Sequence, residues 1–326
     1  MTLCLLTLKK QRAQSRYVLW SRIDQKSCFK SILTANLEPI IIEQKEHESY
    51  LRTDLSEFEK QIARVKPDEI CCVISTTSCF APRAIDDIAG LSRLCQTHGI
   101  PHLINNAYGL QSTKISHEIE QAKRADGRID FIVQSTDKNF LVPVGGSIVL
   151  TYERKLADEL AQTYPGRASI TPTMDLFITL LSMGRTGLLD LIHTRKRLFN
   201  LFYEKLDQWT RENDECILSS KHFSPISIAI SLKHVPNERL TELGSMLFTR
   251  RISGARVVKL GVKQSIEMHA FDNYGSHSSH SQNSYLTIAA SIGIEETDLV
   301  IFMKKFDSIY QKLRGEKTVT IEDETL

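Results

Sequence analysis

Charge of one sign is not in excess in this sequence: 41 Lys and Arg face 39 Asp and Glu, a formal net charge of +2. No global field marks a nucleic-acid binder, so any contact with a phosphate backbone must come from local patches. The seven cysteines are odd in number, form no Cys-x-x-Cys pair and include the neighbours Cys71 and Cys72. That argues against a disulfide framework or a zinc ribbon and suits a reducing compartment, so a cytoplasmic location is expected. No uninterrupted apolar run approaches the ~18 residues that suggest a membrane helix, so no membrane span is expected. Residues 1–8 are apolar, but their nearest charges, Lys9, Lys10 and Arg12, follow rather than precede them. This is the reverse of a secretory signal, and an amphipathic or buried helix is expected instead. No internal repeat is evident, and the Ser-rich stretches lack the spacing of a nucleophile elbow. His277 and His280 have no partnered Cys or acidic motif, so no metal site is expected.

What is present is a chain of 326 residues, 41% apolar and 25% charged, the balance of an ordinary globular protein. It is long enough to bury a large core, and two domains are expected. Helices are expected near 2–14, 27–35, 54–65, 84–98 and 114–125. Short apolar strands are expected between them at 17–20, 39–42, 70–74, 103–104, 131–133 and 147–150. Asp54 with Glu57 resembles a capping box at the start of the third helix. Such alternation predicts an α/β fold with a mainly parallel sheet covered on both faces. Ligands bind such sheets beyond the carboxyl ends of the strands. From about residue 171 the pattern changes. A long helical region over 174–211, broken near Gly184 to Gly187, leads to a strand at 226–230 and a helix over 237–250. The stretch 265–282, rich in Ser, His, Asn and Gly, reads as a flexible polar loop. A last helix over 295–314 ends at Gly315, and 316–326 reads as a disordered tail. The expected division is 1–170 as a large domain, and 171–315 as the long helix with a smaller α+β domain.

The chemistry centres on Lys138. It follows the apolar strand at 131–133 and precedes Pro143 and the pair Gly145-Gly146. Most lysines are solvated. A lysine at a strand end before a glycine pair is placed to form a Schiff base with pyridoxal phosphate (PLP). The glycines permit close backbone approach, and the proline stiffens the turn. To attack an aldehyde the amine must be neutral, which burial beside a cationic group would favour. Asn105, in Asn105-Asn106-Ala107-Tyr108-Gly109, ends an earlier strand. PLP enzymes place the partner of the pyridine nitrogen at such a strand end.

The segments 22–30, 75–83, 105–109, 127–130, 137–146, 164–169, 243–250 and 253–258 together resemble the O-phosphoseryl-tRNA(Sec) selenium transferase family, in order over most of the chain. The resemblance implies PLP fold type I, like aspartate aminotransferase. It implies Lys138 as the lysine that holds PLP, Asn105 at the pyridine nitrogen and Gln25 near the cofactor ring. Arg167, in Tyr164-Pro165-Gly166-Arg167, would bind the substrate phosphate through its planar donor fork. Arg124 and Arg250 would contact tRNA(Sec) through its backbone. The 123–128 stretch is one residue longer than the family pattern, which shifts the register of Arg124.

The reaction so implied makes selenocysteinyl-tRNA(Sec). The phosphoseryl amine displaces Lys138 from PLP, phosphate leaves the β-carbon to give a dehydroalanyl group, and selenophosphate supplies selenium. A homotetramer is implied for a full-length protein. The resemblance starts within the family's fold. The family's first third, with its assembly helices, Gly-Arg-Ser phosphate loop and glycine-rich turn, is expected to have no counterpart here, exposing apolar surface on the sheet. Two alternatives stay open: a PLP enzyme for another phosphoseryl or cysteine substrate, and a catalytically incomplete short form that binds tRNA or full-length subunits.

Overall fold

The computed structural model describes residues 1–48 and 50–315; the tail expected at 316–326 lies outside them. In chain order the first half contains α1 (Thr2–Gln11), β1 (Tyr17–Ser21), α2 (Lys26–Thr34), β2 (Glu38–Ile42), β3 (Lys45–His47), β4 (Tyr50–Arg52), α3 (Leu55–Val65) and β5 (Ile70–Thr76). It continues with α4 (Ile88–His98), β6 (His102–Asn105), α5 (Thr113–Arg124), β7 (Phe131–Ser135), α6 (Thr136–Phe140), β8 (Ser147–Leu150) and α7 (Arg154–Thr163). The second half contains α8 (Thr171–Glu212), β9 (Ser227–Ser231), α9 (Leu240–Thr249), β10 (Ala255–Val258), β11 (Gln264–Ile266), β12 (His269–Phe271), β13 (Tyr285–Ala289) and α10 (Glu296–Arg314).

A six-stranded sheet runs β2-β1-β5-β6-β7-β8. Its pairings are parallel except the last, where β8 returns antiparallel beside β7. Every residue of β5 is buried, as expected of a central strand covered on both sides. Alternate side chains serve opposite faces. Val18, Trp20, Cys72 and Ile74 pack with Leu5, Leu8, Phe29 and Ile32 of α1 and α2. Leu19 and Val73 pack with Phe58, Ile62 and Leu91 of α3 and α4.

Caps decide where helices start. Asp54 Oδ1 accepts the backbone N–H of Glu57 at 3.0 Å, but the reciprocal half of the expected capping box is not made. The Glu57 carboxylate turns instead to Gln61 at 2.6 Å, one helical turn on. The fourth helix starts at Ile88 rather than near 84, because Asp87 caps the N–H of Gly90 at 2.8 Å. The residues before it are held out of the helix by the buried Arg83–Asp86 pair at 2.6 Å.

The second half builds its own core around the antiparallel sheet β10-β13-β9. Leu198, Phe202, Leu206 and Trp209 of α8 pack with Phe302, Phe306 and Ile309 of α10 against Ile228 and Ile230. The break expected in the long helix is at Gly184, whose φ of 63° and ψ of 178° are non-helical. Before that break the helix is bare: Phe177 and Ile178 are each 56% exposed and Leu181 67%. Exposed apolar side chains thus cluster on the first part of α8, while on the sheet Leu150 of β8 is exposed as well. By length and composition alone α8 is long and apolar enough to cross a membrane, although polar residues such as Thr179, Ser182, Gly184 and Asp190 interrupt its apolar runs.

The stretch 265–282 is not a flexible loop. It holds the hairpin β11–β12, and then a segment in which Ser276, His277 and Ser278 are buried. Its polar groups are satisfied by partners distant in sequence, which local composition cannot report. Strands β10 and β13 were likewise not expected from the sequence.

Candidate active site

The carboxyl ends of β1, β5, β6 and β7 carry the chemistry-bearing residues. Lys138 sits in α6, a single turn that follows β7 directly. That turn is anchored by Asn139, whose Nδ2 donates to the carbonyls of Ala107 at 2.9 Å and Ser135 at 2.6 Å. Gln111 Nε2 donates to the Lys138 carbonyl. The return into β8 needs glycine: a Cβ on Gly146 would lie 2.5 Å from Thr136 Oγ1.

The Lys138 side chain is 24% exposed, and its Nζ donates to Asp137 Oδ2 at 2.8 Å and Ser135 Oγ at 3.2 Å. It also lies over the Tyr108 ring, 5.6 Å from the centroid. The expected burial beside a cation is thus not what the structure has. A carboxylate adjacent in sequence is the neighbour, because the first turn of α6 brings Asp137 to the amine. Tyr108 packs edge-on to Phe80 at 4.8 Å, and burial pushes its phenol up to about 12.

Asn105 is 5% exposed at the end of β6. Its Oδ1 accepts the N–H of Ala107 at 3.3 Å, and its Nδ2 donates to Cys28 Sγ at 3.3 Å. The thiol in turn is 3.7 Å from Gln25 Oε1. Gln25 is the N-cap residue of α2, and Cys28 lies three residues on, within the first turn. Contacts therefore connect Gln25, Cys28, Asn105 and Ala107, and the Asn139 bond to the Ala107 carbonyl fastens the Lys138 turn beside them.

Behind Gln25 stands a buried wall of charge. Arg22 Nε donates to Asp24 Oδ1 at 2.9 Å and Arg22 Nη1 to Glu43 Oε1 at 2.6 Å. Asp24 also meets the 275–277 segment: Gly275 N–H donates to its Oδ2 at 2.7 Å. Sequence reasoning missed Cys28, Asp137 and this wall. The one available signal was the spacing of Gln25 and Cys28, three apart at a helix start.

The remaining residues singled out from the sequence lie elsewhere. Arg167 is exposed, between α7 and α8, and its side chain makes no hydrogen bond or ion pair among the described residues. Arg124 ends α5 and pairs with Glu120 at 3.0 Å, its side chain 77% exposed. Arg250 follows α9 on the small sheet's side of the molecule, and its Nη1 lies 3.4 Å from the carbonyl of Met246. A cavity of about 680 Å³ also lies away from Lys138. It lies between β3–β4, α4, α5 and Phe223.

The group around Lys138 fits the ring end of PLP. It offers a partly exposed primary amine at one strand end, a buried amide at the next, and a second amide on a helix start linked to the buried one through Cys28. Buried oxygens without a protein partner gather at the same strand ends: Thr76 Oγ1, Ser78 Oγ, Gln111 Oε1 and Asn139 Oδ1.

Residues 1–311 match the protein family described as O-phosphoseryl-tRNA(Sec) selenium transferase, SepSecS. Among curated proteins, the chain is 43% identical to the O-phosphoseryl-tRNA(Sec) selenium transferase of Dictyostelium discoideum, over 96% of this chain and 69% of that protein. It is 40% identical to that of Caenorhabditis elegans, over 100% of this chain and 67% of the relative. The chain thus spans about two thirds of the length of these relatives. Among solved structures it resembles an archaeal O-phosphoseryl-tRNA(Sec) selenium transferase, with a TM-score of 0.83, 28% identity, and coverage of 94% of this chain and 67% of the other. An Oryza sativa TDC solved with PLP shares the fold at a TM-score of 0.72 and 13% identity, over 96% of this chain and 67% of that one. The architecture is that of fold-type-I PLP enzymes.

Proposed function

This chain belongs to the O-phosphoseryl-tRNA(Sec) selenium transferase family, and on that premise we propose that it acts as a PLP-dependent enzyme converting O-phosphoseryl-tRNA(Sec) to selenocysteinyl-tRNA(Sec), with selenophosphate as the selenium donor. The observation that carries this reading is that Gln25, Cys28 and Asn105 are linked by contacts at the carboxyl end of the sheet, with the Lys138 turn fastened beside them through Asn139 to the Ala107 carbonyl. When bound, PLP supplies the electron sink that makes the substrate α-proton acidic.

The residues of the chain supply position and proton transfer. Lys138 would hold the cofactor through its Nζ and, once free, would take the substrate α-proton at that atom. Asp137, at 2.8 Å, orients that amine. Asn105 would offer the ring nitrogen an amide that carries no charge. Gln25 would lie near the ring. Arg167 offers an unengaged guanidinium to the phosphate of the substrate, so that the β C–O bond breaks with its electron pair on phosphate. Arg124 and Arg250 hold the tRNA backbone without reading bases. In this reading residues 1–170 carry the cofactor and 171–315 complete the substrate side. The working form is a homotetramer in the cytoplasm.

A second reading is a form that binds tRNA or longer subunits without turning over. The bare apolar face of α8 favours it, since Ile178 and Leu181 suit burial against another chain.

The test is borohydride reduction of the purified chain with PLP, followed by peptide mass mapping. A pyridoxyl adduct at Lys138, lost in Lys138→Ala, is expected. Labelling spread over surface lysines, unchanged in Lys138→Ala, would reject the assignment.

A further inference from the structure

We propose that Cys28 is a positioning residue: its thiol locks the side-chain amide of Asn105 and ties it to Gln25. The inference rests on the cofactor reading of these two amides.

The direction of the hydrogen bonds follows from one fixed donor. The backbone N–H of Ala107 can only donate, so the Asn105 atom facing it at 3.3 Å must be Oδ1. The amide nitrogen then faces Cys28 Sγ at 3.3 Å, and the sulfur accepts. Having accepted, the thiol has its own proton left, and Gln25 Oε1 lies 3.7 Å away to receive it. The order runs from Ala107 to Asn105, Cys28 and Gln25, with Asn105 and Cys28 each accepting once and donating once and Gln25 accepting at the end. Turning the Asn105 amide by half a rotation would set its NH₂ against the Ala107 N–H and its oxygen against sulfur. The amide is therefore held in one orientation before any ligand arrives, with one N–H and one lone pair remaining.

The relay needs a protonated thiol. Cys28 is 6% exposed, and burial pushes its thiol up to about 11 despite its place in the first turn of α2. A cysteine that merely fills the apolar core between α2 and the sheet would act differently. Its replacement by a similar apolar group would leave Asn105 unaffected.

That contrast gives the experiment. The chain is labelled with ¹⁵N-asparagine, without PLP, as wild type and as Cys28→Ser, Cys28→Ala and Cys28→Val. The Asn105 amide is assigned by its loss in Asn105→Ala. Cys28→Val keeps most of the volume, so a folding defect is separable from a lost hydrogen bond. In wild type and Cys28→Ser, two resolved, slowly exchanging Asn105 amide protons are expected. In Cys28→Ala and Cys28→Val, hydrogen exchange of that pair should quicken by about tenfold, with other asparagines unchanged, as for loss of one net hydrogen bond. PLP titration, read by the absorbance of bound cofactor, should weaken by about three- to tenfold in the same two variants and recover in Cys28→Ser. Unaltered exchange at Asn105 in Cys28→Val overturns the proposal, even if wild type is trapped by borohydride at Lys138. Altered exchange with no trapping at Lys138 leaves the lock standing and removes the cofactor reading instead.

Discussion

The backbone N–H of Asp24 donates to His277 Nδ1 at 3.0 Å, while the backbone N–H of His277 donates to Asp24 Oδ2 at 2.8 Å. This reciprocal pair joins residues at opposite ends of the chain, and it stands directly behind Gln25. It requires His277 to be neutral at Nδ1, because a protonated ring has no acceptor there.

Acid stability follows from that requirement. Burial pushes His277 down to about 3, with Arg83, Arg256 and Arg22 adding to the effect and Asp24 opposing it. His102, enclosed between Ser75 Oγ at 2.7 Å and Ser92 Oγ at 3.1 Å, is pushed by burial down to about 4, with Asp130 opposing. Both folded values lie below the ordinary ~6.5 of an unfolded histidine. Between those values the unfolded chain binds more protons, so stability is complete above ~6.5 and falls as pH drops below it. Each histidine should contribute a slope of ~1.4 kcal/mol per pH unit in that window. Urea midpoints at several pH values between 7.5 and 5 measure this, and His277→Gln should flatten the slope. A wild-type profile with no fall below pH 6.5 would contradict the assignment.

Arg22 and Arg124 should differ sharply when truncated. The side chains of Arg22 and Asp24 are 2% and 0% exposed, so Arg22→Ala leaves a buried carboxylate without its cation. A loss of about 3–5 kcal/mol is expected from such a break. Arg124 and Glu120 are 77% and 45% exposed, and Arg124→Ala should change stability by less than ~0.5 kcal/mol. Denaturant unfolding compares the two directly. On the proposed function, Arg124→Ala should still weaken tRNA binding, measured by filter retention across a salt series.

Two glycines three residues apart in α8 should respond with opposite sign. Gly184 holds a φ of 63° and ψ of 178°, a conformation nearly closed to other residues, so Gly184→Ala should cost about 1–3 kcal/mol. A Cβ at Gly187 meets only Met183 Cβ, at 3.5 Å, within ordinary contact. Gly187→Ala should therefore stabilise the helix by about 0.5–1 kcal/mol. Thermal unfolding followed by circular dichroism decides this; equal effects would mean that the break is not held by Gly184.

The bare face of α8 should govern self-association. Phe177 and Leu181 lie one turn apart, 56% and 67% exposed. Phe177→Glu with Leu181→Glu should reduce light scattering at high concentration and leave the thermal midpoint within about 1–2 °C, as for surface changes. A large drop in midpoint would mean that this face is buried within the single chain.

The alternation of short apolar strands with helices determined the parallel sheet from the sequence alone, because side-chain direction alternates locally and a covered strand such as β5 must be apolar over most of its length, here Ile70 to Ile74. The motifs around Asn105 and Lys138 stood out for a similar reason, as strand ends marked by their neighbours, whereas Gln25 was singled out only by the resemblance to the family. The tertiary structure alone decided which groups answer them. Cys28 reads as a core residue until Asn105 is placed against it, and the Ser- and His-rich stretch reads as a loop until Asp24 receives its N–H groups. Polar composition marks a segment for water unless distant partners satisfy its hydrogen bonds, and those partners exist only once the chain has folded.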